Sequence, residues 1–446
     1  MDDRSFIKVV KFGGSSLADA EHFKKAADIV LADPARRYVV PSAPGKCAAD
    51  DRKVTDMLIR CCGLATDGAN YRPLLAEIKG RYDAIIQGLG LDFSLDDEFA
   101  KIDAELKRGA TLDYVASRGE YLNGMLLAHY LGYEFVDAAD IIFFGPDKQF
   151  DPDRTNLFAS ERLLECGHAV IPGFYGAMPC GDIKTFSRGG SDITGAIIAR
   201  AVMADIYENW TDVSGFLMCD PRIVKDPRPI SKITYRELRE LSYMGATVLH
   251  EDAIFPVKLA GIPINIRNTN HPEDPGTMIV SESDESSPDI ITGIAGKKGF
   301  SVVHLEKDMM NLEVGFGMKV LQAFYDMNIC FEHLPSGIDT MSVIVESANI
   351  KDREGFLLSK LSRMVTPDHI SITQDLALIA VVGRGMVNYP GTASRVFTAI
   401  ARKGINIRMI DQGSSELNII IGVAESDFET AIRAVYEEFC KNGSIS

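Results

Sequence analysis

Short runs rich in β-branched residues alternate with longer amphipathic stretches through the N-terminal part of the chain. The runs are FIKVV (6 to 10), RYVVPSAPG (37 to 45), YEFVDAAD (133 to 140), HAVIPGFYG (168 to 176), DIYENWTD (205 to 212) and PINIRN (263 to 268). Between them, TLDYVASRGEYLNGMLLAHYLG (111 to 132) and SDITGAIIARAVM (191 to 203) carry apolar residues at helical spacing. Strands separated by helices predict an α/β domain with a parallel, helix-covered sheet. The pattern stops at SESDESSPD (281 to 289), which is polar, Ser-rich and aperiodic, and so predicts a linker.

Beyond it the chain repeats itself with an offset of 76 residues. Gly315 pairs with Gly391, Val320 with Val396, Ile329 with Ile405, Gly337 with Gly413, and Met341 to Val345 with Leu417 to Ile421. Each copy reads strand, helix, strand, turn, strand, helix, which predicts two small α+β units. Such a duplication is either a sensing module or a dimerisation scaffold. A chain of 446 residues also exceeds a single core, which stops growing near roughly 250 to 300 residues. The expected domains are 1–290, 297–371 and 372–446, the last two able to interleave.

A net charge of −16 argues against nucleic acid or an anionic membrane as partner, since both need a basic footprint. No apolar run approaches the roughly 20 residues of a membrane span, and MDDRSFIKVVKFGG lacks the regions of a secretory signal. The eight cysteines show neither CxxC spacing nor a histidine pairing typical of zinc, and free thiols in the cytoplasm are expected. No HExxH occurs, and His250 beside Glu251 and Asp252 lacks a second ligand at useful spacing.

Two glycine-rich segments carry candidate chemistry. Lys11-Phe-Gly-Gly-Ser-Ser follows the first strand and precedes a helix expected near Asp19. Glycines at such a turn let amides approach an anion, and a lysine adds a point charge for phosphate, although no GxxxxGK[ST] is present. Phe186-Ser-Arg-Gly-Gly-Ser-Asp again stands at a helix start, where Ser191 or Asp192 could serve only as an N-cap. Arginine, two glycines, a hydroxyl and a carboxylate within five residues also suit an anion site. Ser117-Arg-Gly-Glu120 reads equally as a capping box or as an interruption of the helix beginning at Thr111, placed where a polar side chain must face a site. Thr211-Asp-Val-Ser-Gly and Asp220-Pro-Arg222 follow a strand end, a place suited to a nucleotide, and TDxxG is also a common turn.

Together KFGGSS, Ser42-Ala-Pro-Gly, Lys53-Val-Thr-Asp, SRGE, FSRGGSD, TDVSG with DPR, GATVLH and the duplicated tail resemble the monofunctional aspartate kinases over almost the whole chain. The resemblance implies the amino-acid kinase fold followed by two ACT-like, ferredoxin-like domains. It implies ATP-dependent phosphorylation of the L-aspartate side chain, with Mg2+, and regulation by lysine or threonine in a homodimer or homotetramer. Carried over by residue, Lys11, Phe12, Gly13 and Gly14 would hold the ATP phosphates, and Thr211, Asp212 and Arg222 the nucleotide. Ser42, Thr55, Glu120, Arg188, Gly190 and Ser191 would meet aspartate, while Asp192 would orient Lys11 or the metal; no dedicated metal ligand set is expected. Glu332, Ser336, Gly337 and Asp339 would bind the effector. Two departures stand out: Thr247 replaces a lysine common among relatives, and Gln87 to Arg108 looks like a charged insertion near the substrate side; no homoserine dehydrogenase domain is expected. The rival readings are a kinase for glutamate or N-acetylglutamate, and a non-catalytic amino-acid sensor.

Overall fold

A computed structural model describes residues 6–47, 50–187, 189–246, 251–281 and 289–440. The predicted linker lies mostly outside the described residues. By compactness the chain divides into two units, residues 1–216, 231–235 and 248–283 in one and 217–230, 236–247 and 284–446 in the other. Residues 217–230 and 236–247, expected within the domain 1–290, therefore cluster with the C-terminal residues.

The first unit opens with β1 (Lys8–Phe12), α1 (Ala20–Leu31), β2 (Arg36–Pro41), α2 (Val54–Thr66), α3 (Arg72–Leu89), α4 (Asp96–Arg108) and α5 (Leu112–Leu131). It continues with β3 (Glu134–Phe135), α6 (Ala138–Ile141), α7 (Pro152–Cys166), β4 (Ala169–Val170), β5 (Tyr175–Ala177), β6 (Ile183–Thr185), α8 (Gly190–Ala201) and β7 (Ile206–Thr211). After β8 (Lys232–Thr234) the chain forms α9 (Tyr235–Tyr243), most of which belongs to the second unit, then returns through α10 (Glu251–Ala260), β9 (Ile264–Asn268) and β10 (Thr277–Val280). Eight strands form one sheet in the order β3-β4-β2-β1-β7-β9-β10-β8, parallel except where β10 runs against β9. The inner strands are apolar on both faces, as a sheet covered by helices requires: Val9, Val10 and Phe12 of β1 have no exposed surface. The supposed insertion is part of this core, since α4 buries Phe99, Ile102 and Leu106 and sets Phe99 edge-on to Tyr82 of α3.

Within the apolar sheet one carboxylate is buried by design of its neighbours. Glu208 of β7, 1% exposed, accepts from Arg36 Nε at 2.8 Å and Trp210 Nε1 at 2.8 Å, with Lys8 Nζ 3.3 Å away. Burial raises its pKa, but the hydrogen bonds and charges of Arg36 and Lys8 outweigh that, so the carboxyl stays below the usual range.

The second unit contains β11 (Gly293–Glu306), α11 (Phe316–Tyr325), β12 (Thr340–Glu346), α12 (Ser347–Ile350), α13 (Glu354–Val365), β13 (His369–Val382), α14 (Thr392–Ala401), β14 (Met409–Asp411), β15 (Asn418–Ala424) and α15 (Phe428–Cys440). Its antiparallel sheet runs β12-β11-β13-β15-β14. The long strands β11 and β13 each serve both copies of the repeat, their register shifting between Lys297 and Val302. The repeat is explicit at Gly315 and Gly391, which precede α11 and α14 with φ of 82° and 88°, a left-handed backbone that favours glycine.

Truncating Glu208 to alanine would leave the buried Arg36 without its carboxylate, while Lys8 keeps Asp33 at 2.8 Å, and a loss of about 3 to 5 kcal/mol is expected. Urea melts of Glu208→Ala at neutral pH measure it. A loss under 1 kcal/mol would mean that Arg36 finds another partner.

Candidate active site

The strand ends come first. β1 lies beside β7, so Lys11 and Phe12 stand in register with Asn209 and Trp210. Past these ends the chains tie together: Gly13 N–H donates to Trp210 O at 3.1 Å, Ser42 N–H to Phe12 O at 3.0 Å, and Gly45 N–H to Gly14 O at 2.8 Å. The contact between the KFGG and SAPG turns admits no side chain. A Cβ on Gly45 would lie 2.5 Å from the Gly14 carbonyl carbon, and one on Gly14 would lie 2.9 Å from Ala43 O. Glycine here sets backbone against backbone at the carboxyl edge of the sheet, where open α/β sheets take ligands.

Against this floor stands the start of α8. Gly189, at φ 58°, turns the chain into the helix without any side-chain cap, so neither Ser191 nor Asp192 is the N-cap. Gly173 N–H donates to Pro41 O at 3.1 Å, and Ser191 packs where a Cβ on Gly173 would come within 2.6 Å. The helix terminus is thereby held beside the end of β2. Asp192, in the first turn, meets Lys11 Nζ at 2.6 Å. Asn209 Nδ2 donates to the same carboxylate oxygen at 2.9 Å, and Tyr207 OH donates to the Asp192 carbonyl at 3.1 Å. Lys11 is 7% exposed. A buried ammonium, free amides at a helix N-terminus and glycine turns make a site for an anion with several charges, which phosphate fits.

The helix α5 overturns two expectations. It runs unbroken, its N-cap is Thr111 accepting from Tyr114 N–H at 3.2 Å, and Ser117 donates to Tyr114 O at 2.7 Å from inside the helix. SRGE is therefore neither a capping box nor a break. Gly119 is there for close packing, since its Cβ would come within 2.9 Å of the Ala43 Cβ. That approach brings Glu120 to the SAPG turn. Glu120 is 6% exposed; burial pushes its pKa up to about 7, with the Ala43 N–H pulling the other way. Its Oε2 has no hydrogen-bond partner. Arg118 points elsewhere, its guanidinium 4.3 to 5.4 Å from the rings of Tyr114, Tyr121 and Tyr175.

Lys11, Phe12, Gly13, Gly14, Ser42, Gly190, Ser191 and Asp192 thus gather at one edge of the sheet, with Glu120 joined through Ala43. Thr55 stands in the first turn of α2, and Thr211 and Asp212 end β7, Thr211 Oγ1 donating to the Asp212 carboxylate at 3.2 Å. Arg222 belongs to the second unit, where it pairs with Asp220. Arg188 and Thr247 lie outside the described residues. In the second unit Glu332, Ser336, Gly337 and Asp339 share the hairpin leading into β12. There Tyr243 OH donates to Glu332, and Gly337 N–H donates to Thr340 O at 2.8 Å. Among the described residues no group of three or more His, Cys, Asp or Glu side chains could hold a metal ion, and no helix is long and apolar enough to cross a membrane. Sequence reasoning missed Asn209 and Asn123; a carboxamide inside an apolar strand or helix was the available signal for both.

The raised pKa of Glu120 has a stability consequence. Folded Glu120 holds its proton more tightly than the unfolded chain does, so its contribution to stability falls as pH rises from about 4.5 to about 7 and is flat above. A shift of this size corresponds to about 3 kcal/mol. Glu120→Gln should remove that slope and be the more stable protein at pH 8, as urea melts between pH 5 and pH 8 would reveal. Parallel curves for the two proteins would contradict the environment described.

The amino acid kinase family model matches residues 7–268, and an ACT domain model matches residues 379–439. The chain is 41% identical to aspartokinase 3 of Bacillus subtilis over 99% of this chain and 100% of that one. Among solved structures, the aspartate kinase of Clostridium acetobutylicum is 49% identical with a TM-score of 0.91, covering 98% of this chain and 100% of that chain. Escherichia coli aspartokinase III in complex with aspartate and ADP is 25% identical with a TM-score of 0.71, covering 97% and 99%. The same enzyme in complex with lysine and aspartate gives 25% and 0.74, covering 98% and 100%. Likeness of this extent places the protein: it belongs to the amino acid kinase family and, within it, to the aspartokinases.

Proposed function

We propose that the protein transfers the γ-phosphoryl group of ATP to the side-chain carboxylate of L-aspartate, giving 4-phospho-L-aspartate and ADP, the first step toward lysine, threonine and methionine. The observation that carries the reading is the buried Lys11–Asp192 pair between glycine turns and a helix N-terminus. Phosphoryl transfer between two anions asks the protein for positioning and charge cancellation rather than covalent chemistry. Lys11 and the amide of Gly14 hold the phosphates, the Gly13 amide being bonded to Trp210 O, and Asp192 sets the direction of the lysine. A carboxylate oxygen of aspartate attacks the γ-phosphorus as the bond to the ADP oxygen breaks. Thr211 and Asp212 are assigned to the nucleotide, as the family resemblance suggests.

Aspartate is assigned to Ser42, Thr55, Glu120, Arg188, Gly190 and Ser191. Glu120 supports this choice physically, because a buried carboxylate with a free oxygen is repaid by a ligand ammonium. Magnesium would be held by the ATP phosphates with Asp192, in the first turn of α8 beside Lys11, as the protein carboxylate. Bound there it would neutralise charge on the phosphates. Glu332, Ser336, Gly337 and Asp339 are assigned to an inhibitory lysine or threonine. Val314, Met318, Tyr325 and Ile338, each at least 70% exposed on the single chain, favour a homodimer or homotetramer. The eight free cysteines suit the cytoplasm.

Trapping the acyl phosphate with hydroxylamine tests the whole reading. Hydroxamate should form with aspartate and ATP, far less with glutamate or N-acetylglutamate, and lysine or threonine should suppress it. Lys11→Met should lower kcat by about a thousandfold while circular dichroism stays native. Turnover with glutamate in preference to aspartate would move the protein to another branch of the family, and none with any substrate would make it a sensor.

A further inference from the structure

Asn123 lies one turn beyond Glu120 on α5 and has no exposed surface. Its Nδ2 donates to Ser42 O at 2.6 Å, whereas its Oδ1 has no partner. The N–H of the next residue, Ala43, donates to Glu120. Ser42 C=O and Ala43 N–H belong to one peptide group, so two side chains of one helix hold that group by its opposite ends. The planarity of the peptide links them: rotating it to release Asn123 also swings the N–H away from Glu120. A buried carboxamide that leaves half its hydrogen-bonding capacity unused costs stability, and an apolar side chain of the same volume would avoid that cost. The bond to Ser42 is what the position gains in return.

We propose that Asn123 is a positioning residue for the substrate amino group: by fixing the Ser42–Ala43 peptide it fixes the orientation of the Glu120 carboxylate. This rests on the reading of Glu120 as the partner of the substrate ammonium. The side chains named around Gly119, the residue before Glu120, offer the carboxylate no competing donor. From α3, Tyr82 OH is committed to Gly119 O at 2.8 Å; α2 presents Val54 and Leu58; and Arg118 is turned into its tyrosine rings. With the Ala43 N–H released, the carboxylate would lose the larger of the two backbone hydrogen bonds that favour its charged form, and would titrate at higher pH.

The experiment compares Asn123→Leu, Asn123→Ser, Glu120→Gln and the double variant Asn123→Leu/Glu120→Gln in the full-length enzyme, with ATP and aspartate varied separately between pH 6 and 9. Asn123→Leu should raise the KM for aspartate about tenfold, leave that for ATP within about twofold, and move the midpoint of the aspartate pH profile upward. Because Asn123 acts through Glu120, the double variant should be no worse than Glu120→Gln alone. Asn123→Ser, which removes the same bond with less bulk, serves if the leucine variant does not fold. Additive effects, equal rises in both KM values, or an unmoved pH midpoint would each reduce Asn123 to a structural residue. If Glu120→Gln raises the aspartate KM and the Asn123 variants do not, the proposal alone falls. If Glu120→Gln itself leaves it unchanged, the reading of Glu120 falls and takes the proposal with it.

Discussion

Everything in the first unit turns on where charge is buried and what compensates it. A sheet covered on both faces offers no water to its inner strands, so each charge carried there needs a partner supplied by the fold. Glu208 receives a full set, from Arg36, Lys8 and Trp210, and is structural. Arg118 receives three aromatic rings. Lys11 and Asp192 receive each other, at the strand end where an anion can join them. Glu120 receives least, no countercharge and only the backbone N–H groups of Ala43 and of its own residue. The degree of compensation falls toward the site, and the least satisfied group is the one a ligand can repay.

The site is assembled from backbone as much as from side chains. Gly14 against Gly45 and Gly119 against Ala43 are contacts that any Cβ would spoil, and they bring the β1 turn, the β2 turn and α5 to one place. Because the turns are hydrogen-bonded to one another, the lysine, the free amides and the α5 carboxylate are fixed relative to a common scaffold. Preorganisation of this kind costs nothing further at the moment of transfer.

The periodic stretches made most of the fold legible. The helices at 111–132 and 191–203, the strand ending in KFGG and the duplicated tail stand where pattern puts them, because their burial is one-sided or complete and so writes itself into spacing. Lys11, Asp192 and the two glycine turns were legible for a different reason: glycines and charges at a strand-to-helix junction have few other uses. What pattern hid was context. Gly119 looked like a break in α5 because a glycine permits one, yet close packing on Ala43 uses the same absence of a side chain. Asn209 and Asn123 each stood out only as a carboxamide in an apolar element, and what they do shows once their partners, Asp192 and Ser42, are near. Arg222 stood close to Thr211 along the chain, and the fold assigns it to the other unit.

In the second unit the same logic separates framework from difference. The two copies keep their glycines at φ of 82° and 88° and their buried Val320 and Val396, because a helix must start and pack alike in both. They diverge where polar groups meet: His333 of the first copy bonds Asp411 of the second at 2.7 Å, leaving His333 Nε2 buried without a partner. Glu332, next in sequence, is instead taken by Tyr243. Tyr243 ends α9, the helix that directly follows β8 of the catalytic sheet. Duplication supplied two equivalent scaffolds, and unequal polar partners made one of them chemically distinct.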